Sequence, residues 1–259
     1  MKTDIYNTFL GKAYRFLGFD GFIKTIESKT LRFSRIDTFN DPLDCNPLLH
    51  PYVYYVCERY QKAIKMFNPI KDKDLYEAIK TSFQSYYEKA YVCCFCKEYD
   101  AYESYLMWAY YGSHKQMCFE IDFNKNRLLG GPSNISYEED LVRKRNLVRS
   151  NNPDERGLFI ATTKSKIWEH EKEVRLIVDI ESNNISKDIT FSNDKKYLFY
   201  PFDIKIISKV IFAVNSDIKD EERVFKLMDS KSHKPIYEKM VINPDTLKLQ
   251  SIDYDTFIS

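Results

Sequence analysis

The run Ile167-Trp168-Glu169-His170-Glu171-Lys172-Glu173-Val174-Arg175-Leu176-Ile177 places three carboxylates at every second position and then turns apolar. In an extended chain Glu173, Arg175 and Ile177 share one face, and Val174, Leu176 and Val178 take the other. A carboxylate at the mouth of a half-buried strand, with a cation two residues on, makes Glu173 the first candidate for chemistry and Glu171 the second. The same spacing also fits plain surface charges on an exposed face. Further polar and aromatic candidates are Tyr14 and Arg15, Ser34, the Asn40-Asp41 pair, and Met107, Trp108, Tyr110 and Tyr111. His114 and His170 lie near them, but no third ligand or triad partner stands at a telling spacing.

These residues need elements to hold them. Residues 12–16 read as a short strand, and Asp20 is placed to cap a helix over 21–28 with Phe22, Ile23 and Ile26 on its apolar side. A strand over 30–34 follows, ending in the turn-forming run Asp37-Thr38-Phe39-Asn40-Asp41-Pro42. Residues 50–92 pattern as two helices split near Asn68-Pro69. Beyond them come a strand over 91–96, a helix over 102–111 and a half-buried strand over 117–123. Gly130-Gly131-Pro132 breaks the chain before a short strand at 135–137. A helix is expected from Asn152 to Glu169, leading into the carboxylate strand. The last third offers strands at 188–191, 197–200, 204–214 and 236–242, with a helix over 217–229. One α+β domain over residues 1–259 accommodates this, with 50–90 as a helical insertion.

Composition narrows the functions. Hydrophobic content of 44% and charged content of 30% are those of a globular chain. Seven glycines leave little room for a phosphate-cradling loop, and neither GxGxxG nor GxxxxGK[ST] occurs. The net charge of +1 provides no global attraction for nucleic acid, so any such binding needs a local patch. Cys45, Cys57, Cys93, Cys94, Cys96 and Cys118 fit neither a disulfide framework nor a metal site, and Cys93, Cys94 and Cys96 read as small buried hydrophobes. No signal peptide or membrane-spanning run is evident, so a cytoplasmic protein without membrane attachment is expected.

Several motifs, in order, resemble a widespread bacterial family labelled a domain of unknown function. They are Ala13-Tyr14-Arg15-Phe16, Phe39-Asn40-Asp41-Pro42, Cys94-Phe95-Cys96 and Met107-Trp108-Ala109-Tyr110-Tyr111. The last is Trp168-Glu169-His170-Glu171-Lys172-Glu173-Val174-Arg175. Cys96 replaces the family's usual Ser, the Met-Trp helix is one residue looser, and Val174 stands where the family has Tyr. The layout also resembles ADP-ribosyltransferases: strand, helix and strand at the start, and much later a Glu-x-Glu entering a strand. That resemblance implies an ADP-ribosyltransferase-like fold of mixed and antiparallel sheets, and NAD as cofactor. It places Arg15 on the pyrophosphate, Ser34 at the end of the second strand, and Glu171-Lys172-Glu173 as the catalytic motif. The nicotinamide neighbour is to be sought among Tyr14, Trp108, Tyr110 and Tyr111, although Met107 and Trp108 also fit the core face of their helix. Asn40 and Asp41 can hydrogen-bond cofactor or acceptor, or simply cap their turn.

The chemistry suits these residue types. Breaking the nicotinamide–ribose bond builds positive charge on the sugar, which a sheltered carboxylate such as Glu173 stabilises. Glu171 would orient the acceptor or take its proton. A guanidinium grips phosphate oxygens in a fork. Glu173→Gln is expected to abolish turnover while leaving folding intact. Arg143, Lys144, Arg145 and Arg149, with Lys164, Lys166 and Lys172, can form a basic rim, which points to nucleic acid, RNA foremost, ahead of protein as the acceptor. The Lys-, Ile- and Asn-rich composition is associated with bacterial toxins and anti-phage effectors, and hence with an antitoxin partner. Two rivals stay open: a non-catalytic domain binding nucleic acid or protein, and a nuclease holding magnesium through Asp41, Asp44 and Glu173.

Overall fold

In the computed structural model the described residues are 8–49, 81, 84, 87–100, 104–112, 115–126, 128–147, 153–181 and 186–258. The chain enters through β1 (Lys12–Leu17), crosses on α1 (Phe19–Ser28) and returns along β2 (Thr30–Arg35). Gly18 occupies the N-cap of α1 without a side-chain cap, and Asp20 sits inside the first turn, where its charge meets the helix dipole. Next come β3 (Ala90–Cys96), α2 (Tyr105–Gly112) and β4 (Met117–Asp122). The middle holds β5 (Ser133–Asn134), β6 (Ser136–Glu138), α3 (Leu141–Leu147), α4 (Pro153–Ala161), β7 (Thr163–Ser165) and β8 (Glu173–Asp179). The last third contains β9 (Thr190–Phe191), β10 (Tyr197–Pro201), β11 (Ile207–Phe212), α5 (Ile218–Ser230), β12 (Ile236–Ile242), β13 (Leu249–Asp253) and α6 (Tyr254–Ile258).

The class is α+β. A mixed 11-stranded sheet runs in the order β13-β12-β11-β4-β1-β3-β2-β10-β9, with β8 also on β3 and β5 on β8. β11 and β12 are its parallel pair. The register around β3 matters most. β8 runs along all of β3, from Ala90 opposite Asp179 to Cys96 opposite Glu173. β1 and β2 must therefore share the other edge, and they meet it at opposite ends: Tyr14 lies opposite Cys96, while Ser34 and Arg35 lie opposite Val92 and Tyr91. The sheet forks here. Between the two prongs, the middle of β3 faces a notch.

One sheet face carries the main core, in which Ala13, Leu31, Phe33, Phe95, Phe119, Val174 and Leu176 pack beneath Phe22 and Ile26 of α1 and Val224 and Met228 of α5. The other face carries two smaller clusters, one around Ile36, Val92, Ile160 and Ala161 and one around Trp108, Cys118, Ile211 and Met240. β4 is buried at all six positions rather than on alternate ones, because β1 and β11 flank it and both faces are covered.

Most expected elements are present within a residue or two. One is corrected. The helix expected from Asn152 to Glu169 ends at Ala161; residues Thr163–Ser165 pair in parallel with Ser136–Glu138, and Lys166–Glu171 wind as a 3-10 turn. The paired threonines Thr162 and Thr163 favour an extended chain over a helix. At the C-terminal end, where no element was expected, β13 extends the sheet beside β12 and α6 follows it. The helical insertion at 50–90 lies largely outside the described residues. Among the described residues no helix is long and apolar enough to cross a membrane.

Leu176 is fully buried at the centre of β8. Leu176→Ala is expected to cost about 2–5 kcal/mol, measured as a lowered urea midpoint at an unchanged slope.

Candidate functional site

Alternation along β8 buries Val174, Leu176 and Val178 in the main core and turns Glu173 and Arg175 to the opposite face. That face is not open water. Arg175 is 1% exposed and Glu173 5%, so the surface-charge reading of this pair is overturned. Arg175 donates through Nε to Glu173 Oε1 at 2.7 Å and through Nη2 to Glu173 Oε2 at 3.0 Å. Its other flank donates to both oxygens of Asp44, at 2.9 and 2.6 Å, and to the Ala161 carbonyl at 3.0 Å. The Phe39 ring covers the guanidinium, with its centroid 5.2 Å away.

Lys164 completes the cluster. Its Nζ donates to Glu171 Oε2 at 2.5 Å and to Glu173 Oε2 at 3.0 Å, and lies 3.6 Å from Asp44 Oδ2. Tyr137, opposite Lys164 in the β6–β7 pair, accepts the Glu173 backbone N–H at 2.7 Å. Three carboxylates thus surround two cations out of water. Burial alone would push the Glu173 carboxyl upward, but Arg175 and Lys164 outweigh it and hold it at about 2. Burial opposes the charge on Lys164 as well, yet Glu173 and Asp44 raise it above the ordinary lysine value.

The Glu-x-Glu spacing converges for a reason other than strand alternation. The 3-10 turn ends at Glu171, Lys172 takes a left-handed conformation with φ 45°, and the strand begins at Glu173. That kink sends Lys172 away to Glu98 at 2.7 Å and brings both carboxylates onto Lys164. Glu169 stays exposed on the turn.

These carboxylates line one end of a cleft of about 630 Å³ that occupies the notch between β1 and β2. The size falls in the range of small-molecule sites, roughly 300–1,000 Å³. Tyr14, Arg15, Ser34, Glu171 and Glu173, expected from the sequence, all line it. Arg15 spans the fork, donating through Nη1 to Cys93 Sγ at 2.6 Å and through Nη2 to the Arg32 carbonyl at 3.0 Å. Tyr14 offers only its ring, since its hydroxyl donates to Glu120 at 2.6 Å; burial and that carboxylate raise its pKa. Tyr111 is the aromatic that reaches the glutamate end, donating to Glu171 Oε1 at 3.2 Å.

Three expected contacts are not in the cleft wall. Trp108 is 1% exposed and packs edge-on against Phe16 at 4.9 Å, as core. Tyr110 is 55% exposed and meets His170 at 5.9 Å. Asn40 is exposed on its turn, whose work is to deliver Phe39 and Asp44 to Arg175; Asp41 caps it by accepting the Leu43 N–H at 2.9 Å. The basic rim is also corrected. Lys164 is buried in the cluster, while Lys144, Lys166 and Lys172 pair with Glu138, Glu139 and Glu98. Arg149 and His114 lie outside the described residues. Cys93 and Cys96 are buried free thiols, as expected, and Cys45 and Cys118 are buried as well; Cys94 is less covered than expected, and burial raises its pKa.

Lys164 was missed as a site residue because the helical pattern ran straight through it. Lys24 and Arg32 were missed too. They line the cleft with Arg15, and none of the three has a carboxylate partner among the described residues. Among those residues, no group of His, Cys, Asp and Glu side chains is arranged to hold a metal ion. No family model, curated protein or solved structure matches the chain.

Lys164→Met leaves three buried carboxylates facing Arg175 alone, and a loss of about 3–5 kcal/mol is expected in urea unfolding. Acid should act on the same cluster. Glu173 titrates at about 2 when folded, against 4.5 ordinarily, so its contribution is complete above that ordinary value. Stability should fall as pH drops from about 4.5 toward 2, and less steeply in Glu173→Gln. An unchanged slope would mean that Glu173 does not carry this charge.

Proposed function

We propose that the protein is an NAD-dependent ADP-ribosyltransferase-like enzyme that modifies a macromolecule. The observation that carries this reading is the convergence of Arg15, Ser34, Glu171 and Glu173 on one cleft, from the first strand, the second and the entry to the eighth. The cleft is also charge-segregated. Its carboxylates are matched by Lys164 and Arg175, whereas Arg15, Lys24 and Arg32 present positive charge to an anionic ligand.

In this reading the pyrophosphate of NAD lies against Arg15, which spends two of its five donors on the fold. The nicotinamide ribose lies at Glu173. The C–N bond to nicotinamide breaks with its electron pair leaving on nicotinamide, and the oxocarbenium-like sugar forms beside a fixed carboxylate. A carboxyl held at about 2 stays ionised at neutral pH, so Glu173 acts by charge and not by proton transfer. The acceptor nucleophile then bonds to the same sugar carbon and its proton passes to solvent water. Glu171, held by Lys164 and Tyr111, stands where it can orient that nucleophile. Tyr111 and Met107 supply apolar walls for the nicotinamide ring.

RNA ahead of protein remains the proposed acceptor, although the ion pairs on Lys144, Lys166 and Lys172 weaken the patch that suggested it. A cytoplasmic toxin or anti-phage effector, restrained by an antitoxin, is the proposed biological setting. The nuclease reading is disfavoured because Asp44 and Glu173 are taken up by Arg175. A non-catalytic domain that binds nucleic acid or protein over a flat surface does not account for a concave, charge-segregated cleft.

The test is incubation with labelled NAD and total bacterial RNA, DNA and protein. Label should enter one macromolecular fraction with release of nicotinamide. Glu173→Gln should lower that rate about 10²–10³-fold. Because Glu173 is buried in the ion cluster, this variant should also lose some stability, contrary to the expectation of intact folding, and its folded fraction must be measured alongside. Glu171→Ala should impair transfer more than NAD hydrolysis. Absence of NAD binding and of nicotinamide release would overturn the reading.

A further inference from the structure

The part of the cleft remote from Glu173 is built by β2 and β10. Register sets Phe199 opposite Arg32 and Tyr197 opposite Ser34, so these side chains share the face turned away from buried Leu31, Phe33 and Leu198. The Arg32 guanidinium carbon lies 4.9 Å from the centroid of the Tyr197 ring. Arg32 is exposed, Tyr197 and Phe199 are half-buried, and all three line the cleft. Their flat surfaces are available for stacking.

This ladder shares its cleft with further positive charge. Lys24 of α1 and Arg15 of β1 line the same cleft with no carboxylate partner among the described residues. The hydroxyls of Ser28 and Thr30 lie nearby, 2.7 Å from each other. A ligand matched to both features has a planar heteroaromatic ring joined to an anion, which is the description of a nucleotide. Distance fits as well. Glu173 and Tyr197 stand on strands separated by three sheet spacings, β8 to β3 to β2 to β10, or roughly 14 Å. A dinucleotide laid across the sheet can set one ribose at Glu173 and its second base at Tyr197, with the pyrophosphate over Arg15 between them.

We infer that Tyr197, Phe199 and Arg32 form a stacking subsite for the adenine base of NAD, with Lys24 and Arg15 on its phosphates. The inference rests on the NAD reading above and adds the residues that hold the second nucleotide. Stacking on an aromatic face tolerates any base, so this subsite supplies affinity for a nucleotide more than discrimination among bases.

The experiment is calorimetric titration of the full chain with NAD, ADP and nicotinamide mononucleotide, for wild type, Tyr197→Ala, Tyr197→Phe and Phe199→Ala. Tyr197→Ala and Phe199→Ala should weaken NAD and ADP about tenfold. Nicotinamide mononucleotide should bind unchanged in both, and Tyr197→Phe should retain wild-type affinity because it keeps the ring. Thermal unfolding of each variant confirms that it is folded. NAD bound equally well by both alanine variants overturns the subsite and leaves the transferase reading standing. ADP bound through Tyr197 without nicotinamide release upholds the nucleotide subsite and overturns the transferase. Binding of a single-stranded RNA oligonucleotide through Tyr197, with no ADP binding, overturns the inference.

Discussion

The Glu173–Arg175 ion pair, with Lys164 against it, is the interaction on which the site depends. Placing charges out of water is costly, and a buried pair recovers that cost only when its geometry is good and its remaining donors are satisfied. Here those conditions are met by segments far apart in sequence. Asp44 comes from the turn after β2, Lys164 from β7, Glu171 from the 3-10 turn, and Glu173 and Arg175 from β8. Each segment is held where it is because moving it would leave a charge unpaired. The cluster therefore fixes geometry more than it adds net stability, and the apolar clusters on the two sheet faces carry the folding.

That arrangement also divides the labour between the two glutamates. Glu173 is gripped on both oxygens, by Arg175 on one and by Arg175 and Lys164 on the other, so it is immobile and ionised. Such a group suits a reaction that develops positive charge beside it, because a preorganised charge has no reorganisation to undergo as the reaction proceeds. Glu171 shares Lys164 but turns its second oxygen to the Tyr111 hydroxyl at the cleft wall. One carboxylate is locked to the fold and its neighbour faces a side chain at the cleft wall. Two residues in sequence thus acquire different chemistry from the left-handed kink at Lys172.

Much of this was legible in the sequence wherever one local rule decided the outcome. The alternation of β2 and β8 was readable because Leu31 and Phe33, and Val174, Leu176 and Val178, fall at every second position and face one core. Arg15, Ser34 and Glu173 were found by residue type at the ends of such strands. Lys164 was not, since Leu158, Phe159, Ile160 and Ala161 establish a helical pattern that continues plausibly to Trp168; the short parallel pairing with Ser136–Glu138 that interrupts it is a tertiary event. Trp108 and Tyr111 sit on the same helix, and only packing decides that Trp108 faces Phe16 while Tyr111 faces the glutamates. The basic rim failed for a related reason: sequence counts charges, whereas Glu138, Glu139 and Glu98 cancel them in space.

The fork in the sheet links fold and chemistry most directly. Splitting β1 from β2 denies the middle of β3 a strand neighbour on that edge, and a sheet edge without partners is a liability unless something covers it. Arg15 covers part of it, reaching across from β1 to the Cys93 sulfur and the Arg32 carbonyl. A planar guanidinium can do this and still offer donors to a ligand, because its five N–H groups point in fixed directions from one rigid plane. A lysine has three donors about a single point and would have to abandon one task for the other. The residue that closes the gap is thereby also the one best placed to hold an anion there, and the same opening that weakens the sheet creates the cleft.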